Sequence, residues 1–153
     1  MTAETAQRII EFLDANYVMS LATSGSCGPH AANVFYARDG LALLWVSDCT
    51  TRHSTELEGD PRVAATVAPD CFEFDDIRGV QISGRARLIR DAAERATSRR
   101  ILEARYPRLK RLSESPAALR DAYLGAAFYR LEPERMVLID NSRGFGHKET
   151  IEL

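Results

Sequence analysis

The residues best suited to chemistry lie within one short stretch. An apolar run, Leu41 to Val46, delivers the polar turn Ser47-Asp48-Cys49-Thr50, and Thr51-Arg52-His53 then opens a short helix that Asp60-Pro61-Arg62 stops. A hydroxyl, a guanidinium and an imidazole crowded at a helix start suit a bound phosphate. Free amide N–H groups and the helix dipole attract an anion there, and an arginine can chelate two of its oxygens. The same residues also fit an ordinary capped surface helix with scattered polar groups. Residue types and spacing leave both readings open.

The elements that must position this stretch are legible in the apolar patterning. Thr2 or Thr5 caps a first helix with Ile9, Ile10, Phe12 and Leu13 as its apolar stripe. Tyr17–Thr23 and His30–Ala37 read as strands of a hairpin around the turn Ser24–Pro29. Arg38-Asp39-Gly40 is a tight turn into the third strand, Leu41–Val46, whose continuous apolar run predicts cover on both faces. Val63–Pro69 and Ile77–Ile89 are the fourth and fifth strands, joined by the acidic connection Cys71–Asp76. Asp91-Ala92-Ala93-Glu94 is a capping box for a helix running to about Tyr106, where Pro107 ends it. A short helix fits Pro116–Leu124, and Ala126–Leu131 and Met136–Asp140 read as two strands around Glu132-Pro133. The polar, glycine-broken tail Asn141–Lys148 precedes an extended end at Thr150–Leu153. Closely spaced strands with inserted helices predict a mainly β chain with helices, a small β-barrel in one domain over residues 1–153.

Composition narrows the function classes. At 153 residues with a net charge of −2, the chain has no global electrostatic case for nucleic acid or membrane. The first sixteen residues carry charges throughout, without the apolar core of a signal peptide, and no apolar run approaches bilayer-spanning length. Cys27, Cys49 and Cys71 are far apart and unpaired by any CxxC spacing, which predicts free thiols in a cytoplasmic protein. The histidines lack metal-motif spacing, so no metal centre is expected, and no GxSxG elbow is present for a serine hydrolase. Trp45 reads as core. Arg85, Arg87 and Arg90, with the basic stretch from Arg99 to Arg111, read as an exposed face, with capture of an anionic substrate as the alternative.

Three segments carry a resemblance to a known family. Gly28–Ala37, Leu44–Val63 and Gly79–Arg85 resemble, in order and spacing, the split-barrel flavin proteins related to pyridoxamine 5′-phosphate oxidase, closest to their small bacterial YhbP-like members. The likeness covers roughly Phe12 to Asp140 and implies an FMN-binding split β-barrel. It implies that Ala31, Ala32, Asn33 and Val34 offer backbone groups and apolar contacts to the isoalloxazine edge. Val46 and Ser47 would contact the ring or ribityl chain, Gln81 would lie near the ring or ribityl hydroxyls, and Thr51, Arg52 and His53 would hold the phosphate. In this family the flavin sits between two subunits, so a homodimer is implied, with Phe145, His147 and Lys148 of the tail as contacts from the chain itself or its partner.

The departures from the oxidase pattern bear on the reaction. The chain has Ala32 and Ala37 where the oxidase tends to have arginine and lysine, and His53 where the phosphate turn usually has lysine. The oxidase's C-terminal arginine-histidine pair for the substrate phosphate has only a distant echo in Arg143-Gly144-Phe145-Gly146-His147. Flavin phosphate binding remains expected, through Arg52, the helix terminus and a protonated His53. Pyridoxamine phosphate as substrate is not. The leading expectation is an FMN-dependent oxidoreductase acting on a small molecule. The alternatives are a non-catalytic flavin-binding or sensing module, or a barrel holding deazaflavin or haem, the last needing His30, His53 or His147 as axial ligand.

Overall fold

A computed structural model describes residues 3–112 and 115–153. The chain runs α1 (Ala3–Ala15), β1 (Val18–Gly25), β2 (Gly28–Phe35), β3 (Ala37–Asp39), β4 (Ala42–Ser47), α2 (Arg52–Gly59), β5 (Arg62–Val67), β6 (Arg78–Leu88), α3 (Ala92–Arg105), α4 (Pro107–Leu112), α5 (Ala117–Gly125), β7 (Ala127–Asp140) and β8 (Lys148–Glu152). Short 3₁₀ turns at Phe74–Asp76 and Asn141–Arg143 flank β6 and β7. The strands form one curled antiparallel sheet in the order β2-β1-β5-β6-β7-β4-β3, with β8 also paired to β7. No described helix is long and apolar enough to cross a membrane.

The period-2 patterning of the strands explains the curl. On β5 and β6 buried and exposed residues alternate, so Val63, Ala65, Val67, Val80 and Ile82 face one core while their neighbours face outward. Ile9 and Leu13 of α1 close that core. β4 is buried on both faces, as its apolar run predicts: Leu43 and Trp45 join the main core, whereas Leu44 packs with Ala37, Ile89, Leu102 and Phe128 beneath α3. Trp45 is fully buried and stacks on Tyr129, with ring centroids 5.4 Å apart.

Several boundaries differ from the sequence reading, each for a local reason. Thr5 lies inside α1 and its hydroxyl donates to Glu149; Thr2 lies outside the described residues. Pro107 ends α3 as expected, but the chain restarts at once as α4, because proline is tolerated at a first helical position where its missing N–H has no partner to lose. Glu132-Pro133 does not separate two strands. β7 runs through it, with an irregularity opposite Ser83 and Gly84 that absorbs one extra residue. Gly84 permits this, since a Cβ there would stand 2.2 Å from the Glu132 carbonyl oxygen.

Candidate functional site

The curl of the sheet brings the edge strand β2 toward the end of β4, and α2 begins directly after β4. Between them and the α3–α4 corner lies a groove of about 550 Å³, lined by Asn33, Val34, Phe35, Val46, Ser47, His53, Leu102, Tyr106, Arg108, Leu109 and Leu112. Five of these, Asn33, Val34, Val46, Ser47 and His53, are expected cofactor contacts from three separate sequence segments. The α3–α4 wall was not foreseen. A signal for it exists: Pro107 as a helix start, followed by Leu109 and Leu112 at a spacing of three, places both leucines on one face. Arg108 is the only arginine or lysine of the lining, and Tyr106 packs edge-on against Phe35 with centroids 5.6 Å apart.

The polar end of the groove is a hydroxyl and imidazole cluster. Ser47 Oγ is 2.9 Å from His53 Nε2, and Thr51 Oγ1 is 3.2 Å from the same nitrogen and 3.4 Å from Ser47 Oγ. Thr51 also donates to the Asp48 carbonyl at 2.9 Å and lies 2.8 Å from Ser54 Oγ. Thr51 is the N-cap of α2 with an extended backbone, yet its side chain makes no capping hydrogen bond. The first-turn amides of α2 are thus left uncapped by it, next to three hydroxyls. His53 is buried, and this burial holds its imidazole below the ordinary histidine pKa; the nearby His30 ring acts in the same direction and Glu56 opposes both. Burial thus favours the neutral form of the ring, opposite in direction to the protonation that phosphate binding would draw on. The two imidazoles are nearly parallel, with centroids 6.5 Å apart.

The remaining expected contacts fall in other places. Arg52 is turned toward the β1–β2 hairpin, where its Nε donates to Glu56 at 2.7 Å and an Nη to the Gly28 carbonyl at 3.2 Å. Glu56 in turn accepts from Thr23 at 2.6 Å, and these two partners, Thr23 foremost, hold its carboxyl below the usual range. Ala31 is exposed and Ala32 half-buried on β2, the terminal strand of the sheet, so alternate peptide groups of Ala31–Val34 have no strand partner. Gln81 lies on the outer sheet face, in a cross-strand row Asn33, Ser20, Thr66, Gln81, Val137 and Thr150. Phe145, His147 and Lys148 do not line the groove of their own chain. The tail folds back instead: Asn141 donates to the Phe74 carbonyl and accepts from the Gly146 amide, while His147 and Arg143 both meet Glu149. Phe145 is 87% exposed, and Phe72 and Phe74 stand exposed on the connection that the tail packs against. No group of three or more potential metal ligands is found among the described residues, and all three cysteines are exposed and free.

A sequence profile of the family described as pyridoxamine 5′-phosphate oxidase matches residues 5–136. The chain belongs to this family. Its fold is accordingly the split barrel of pyridoxamine 5′-phosphate oxidase-like proteins, mixed α+β with a curled antiparallel sheet. Among curated proteins, a UPF0306 protein of Serratia proteamaculans is 30% identical over 149 residues, covering 96% of this chain and 94% of that one. Among solved structures, a haem-binding protein of Mycobacterium smegmatis superposes with a TM-score of 0.77 at 19% identity, covering 99% of this chain and 59% of its own. A FAD-binding protein of Mesorhizobium loti superposes at 0.65 with 20% identity, covering 89% and 92%. At such identities the likeness to these two is one of fold alone.

Proposed function

We propose that the groove binds FMN and that the protein is a flavin-dependent oxidoreductase acting on a small molecule. One observation carries this reading: β2, β4 and the start of α2 converge on a single cavity with apolar walls and one polar, anion-suited end. Its volume lies within the roughly 300–1,000 Å³ of small-molecule sites. The residues present fit the cofactor. Ser47, Thr51, His53 and the first amides of α2 would hold the phosphate, and Arg52 would join them on leaving Glu56. The unpaired peptide groups of Ala31, Ala32, Asn33 and Val34 on the β2 edge would hold the ring by hydrogen bonds, and Val46 would give it an apolar contact. Bound flavin supplies the redox chemistry at its ring. The chain's own residues orient the cofactor, exclude water through Phe35, Tyr106, Leu109 and Leu112, and need hold no acid or base at the reacting atom.

Completion of this site calls for a second copy. Gln81 and the tail residues reach a flavin only across a subunit boundary, and the outer sheet face suits such a boundary. On β2, β1, β5 and β6 its central positions, from Phe35 and Val18 through Asn33, Ser20, Thr66 and Gln81 to Ala31, Ala22, Ala64 and Ser83, carry no charge, and the last row meets Arg135 only on β7. Phe145, His147 and Lys148 of the partner subunit then close the groove.

The alternative to turnover is a flavin-binding or sensing module, favoured by the lack of a second phosphate clamp near the groove. A haem or deazaflavin occupant is the remaining choice. Against haem, the His53 Nε2 that would ligate iron already meets two hydroxyls. The test is a visible absorption spectrum of the purified protein before and after addition of FMN and removal of the excess. A retained flavin band is expected. A Soret band, or a colourless protein after FMN treatment, overturns the assignment.

A further inference from the structure

A second cavity, of about 430 Å³, shares Ile89 and Phe128 with the small core under α3, and three arginines line it. Its walls are Leu88, Ile89, Arg90, Arg95, Arg99, Leu124, Gly125, Ala126, Ala127 and Phe128. Local structure brings the arginines together. β6 ends at Leu88, and the Ile89 amide still donates to the Phe128 carbonyl, which fixes the direction in which Arg90 leaves the sheet. Asp91 then caps α3 by accepting from the Glu94 amide, so Arg95 and Arg99, four residues apart, lie on one face of the helix. The Arg99 guanidinium sits over the rings of Tyr123 and Phe128, 5.1 and 5.0 Å from their centroids, which holds its planar fork in one orientation.

No carboxylate lines this cavity. The acids nearby are committed elsewhere: Glu94 to Arg87 at 2.7 and 3.0 Å, Asp91 to the helix cap, and Glu103 to the Tyr123 hydroxyl at 2.9 Å. Among the described residues, eleven arginines lie within ion-pair distance of a carboxylate, and Arg90, Arg95 and Arg99 are not among them. Three like charges around one concavity repel one another until an anion offsets them. The floor is apolar, with Ile89 and Phe128 each 1% exposed.

We propose that this cavity is a second ligand site, separate from the flavin groove, for a phosphate monoester with a compact apolar body. Three guanidiniums match the charge of a phosphate monoester, about −1.5 to −2 at neutral pH, better than the single charge of a carboxylate. Ile89, Leu124 and Phe128 give the ester's organic part a dry surface, which inorganic phosphate cannot use.

Phenyl phosphate is the probe, titrated calorimetrically into the full-length protein. Binding of one molecule per chain is expected, with phenol and inorganic phosphate each at least tenfold weaker. Arg95→Gln and Arg90→Gln change exposed residues and should each weaken phenyl phosphate at least tenfold, with the melting temperature unchanged. The proposal is overturned if phenol binds as well as its phosphate, or if both variants keep the original affinity. It is equally overturned if riboflavin, which has no phosphate, displaces phenyl phosphate, since the probe would then occupy the groove. The arginine dependence is read without flavin, so this result is independent of whether FMN binds.

Discussion

Replacing Arg52 by alanine tests its part in the proposed flavin-phosphate site, because the structure shows the guanidinium committed to another partner. Arg52 must leave Glu56 and the Gly28 carbonyl to reach an anion at the start of α2. The pair it leaves is a half-exposed i,i+4 contact, of a kind that contributes little. Glu56 also stays satisfied, since Thr23 continues to donate to it. A hydrogen bond to a charged group contributes about 1.5–3 kcal/mol, which corresponds to roughly ten- to a hundredfold in affinity. The exchange of partners trims this, so about tenfold weaker FMN binding is expected for Arg52→Ala. Flavin fluorescence quenching on apoprotein reads the constant, with riboflavin as the control. Riboflavin has no phosphate, so its affinity should not move. Glu56→Gln releases the guanidinium and should tighten FMN, again without effect on riboflavin. If Arg52→Ala leaves FMN affinity unchanged, Arg52 belongs to the hairpin and the phosphate rests on hydroxyls and helix amides alone. Equal losses for FMN and riboflavin would show that the variant damages the groove itself.

Other perturbations test the remaining parts. Because burial depresses the His53 pKa, the unfolded chain takes up a proton at higher pH than the folded one; stability should fall as pH drops below about 6.5. Denaturant midpoints across that range should be flatter for His53→Gln. Arg105 donates to the carbonyls of Leu13, Asp14 and Asn16 at the end of α1 and sits over Tyr17; Arg105→Ala removes this donor from the Asp14 and Asn16 carbonyls, while Leu13 keeps the Tyr36 hydroxyl. A loss of about 2–3 kcal/mol by urea denaturation is expected, and a loss below the error of that measurement would refute the capping role. Thr66→Glu places a charge within the uncharged row Asn33, Ser20, Thr66 and Gln81 of the outer sheet face. Size-exclusion with light scattering should report a monomer with weakened FMN binding, whereas a dimer of unchanged affinity would refute the shared site.

What sequence alone could and could not reveal divides along physical lines. β4 was legible because burial on both faces leaves an unbroken apolar run, and α2 because its turn, N-terminal hydroxyl and Pro61 are local signals. Ser47, Thr51 and His53 follow from these, being close in the chain and held by one turn. Arg52 was legible as a residue and illegible as a geometry. Its partner Glu56 sits one helical turn away, and an i,i+4 pairing competes with anion capture in any such sequence. Continuous β7 was hidden by Glu132-Pro133, a local signal for a break. The compensation is non-local, in the absence of a side chain at Gly84 on the neighbouring strand. The α3–α4 wall was missed for the opposite reason: Pro107 was read as an ending, when the same ring is equally suited to a beginning.

The placement of the tail gives the strongest argument for a site made by two chains. Asn141 anchors the tail against the 3₁₀ turn at Phe74, and Glu149 holds both Arg143 and His147, so the segment is tied to its own subunit at several points. Such bonding fixes a shape, yet it leaves Phe145 at 87% exposure beside exposed Phe72 and Phe74. An ordered turn that holds large apolar rings in solvent carries a free-energy penalty for a lone chain. The same rings become favourable once an apolar surface meets them. The groove lined by Phe35, Tyr106, Leu109 and Leu112 is such a surface, and no tail residue lines it within one chain. In the proposed dimer, two copies related by a two-fold axis would satisfy both needs at once, since each would supply a projection and a groove. A monomeric form of this protein should accordingly bind flavin with an open, water-accessible ring face, and the dimer with a covered one.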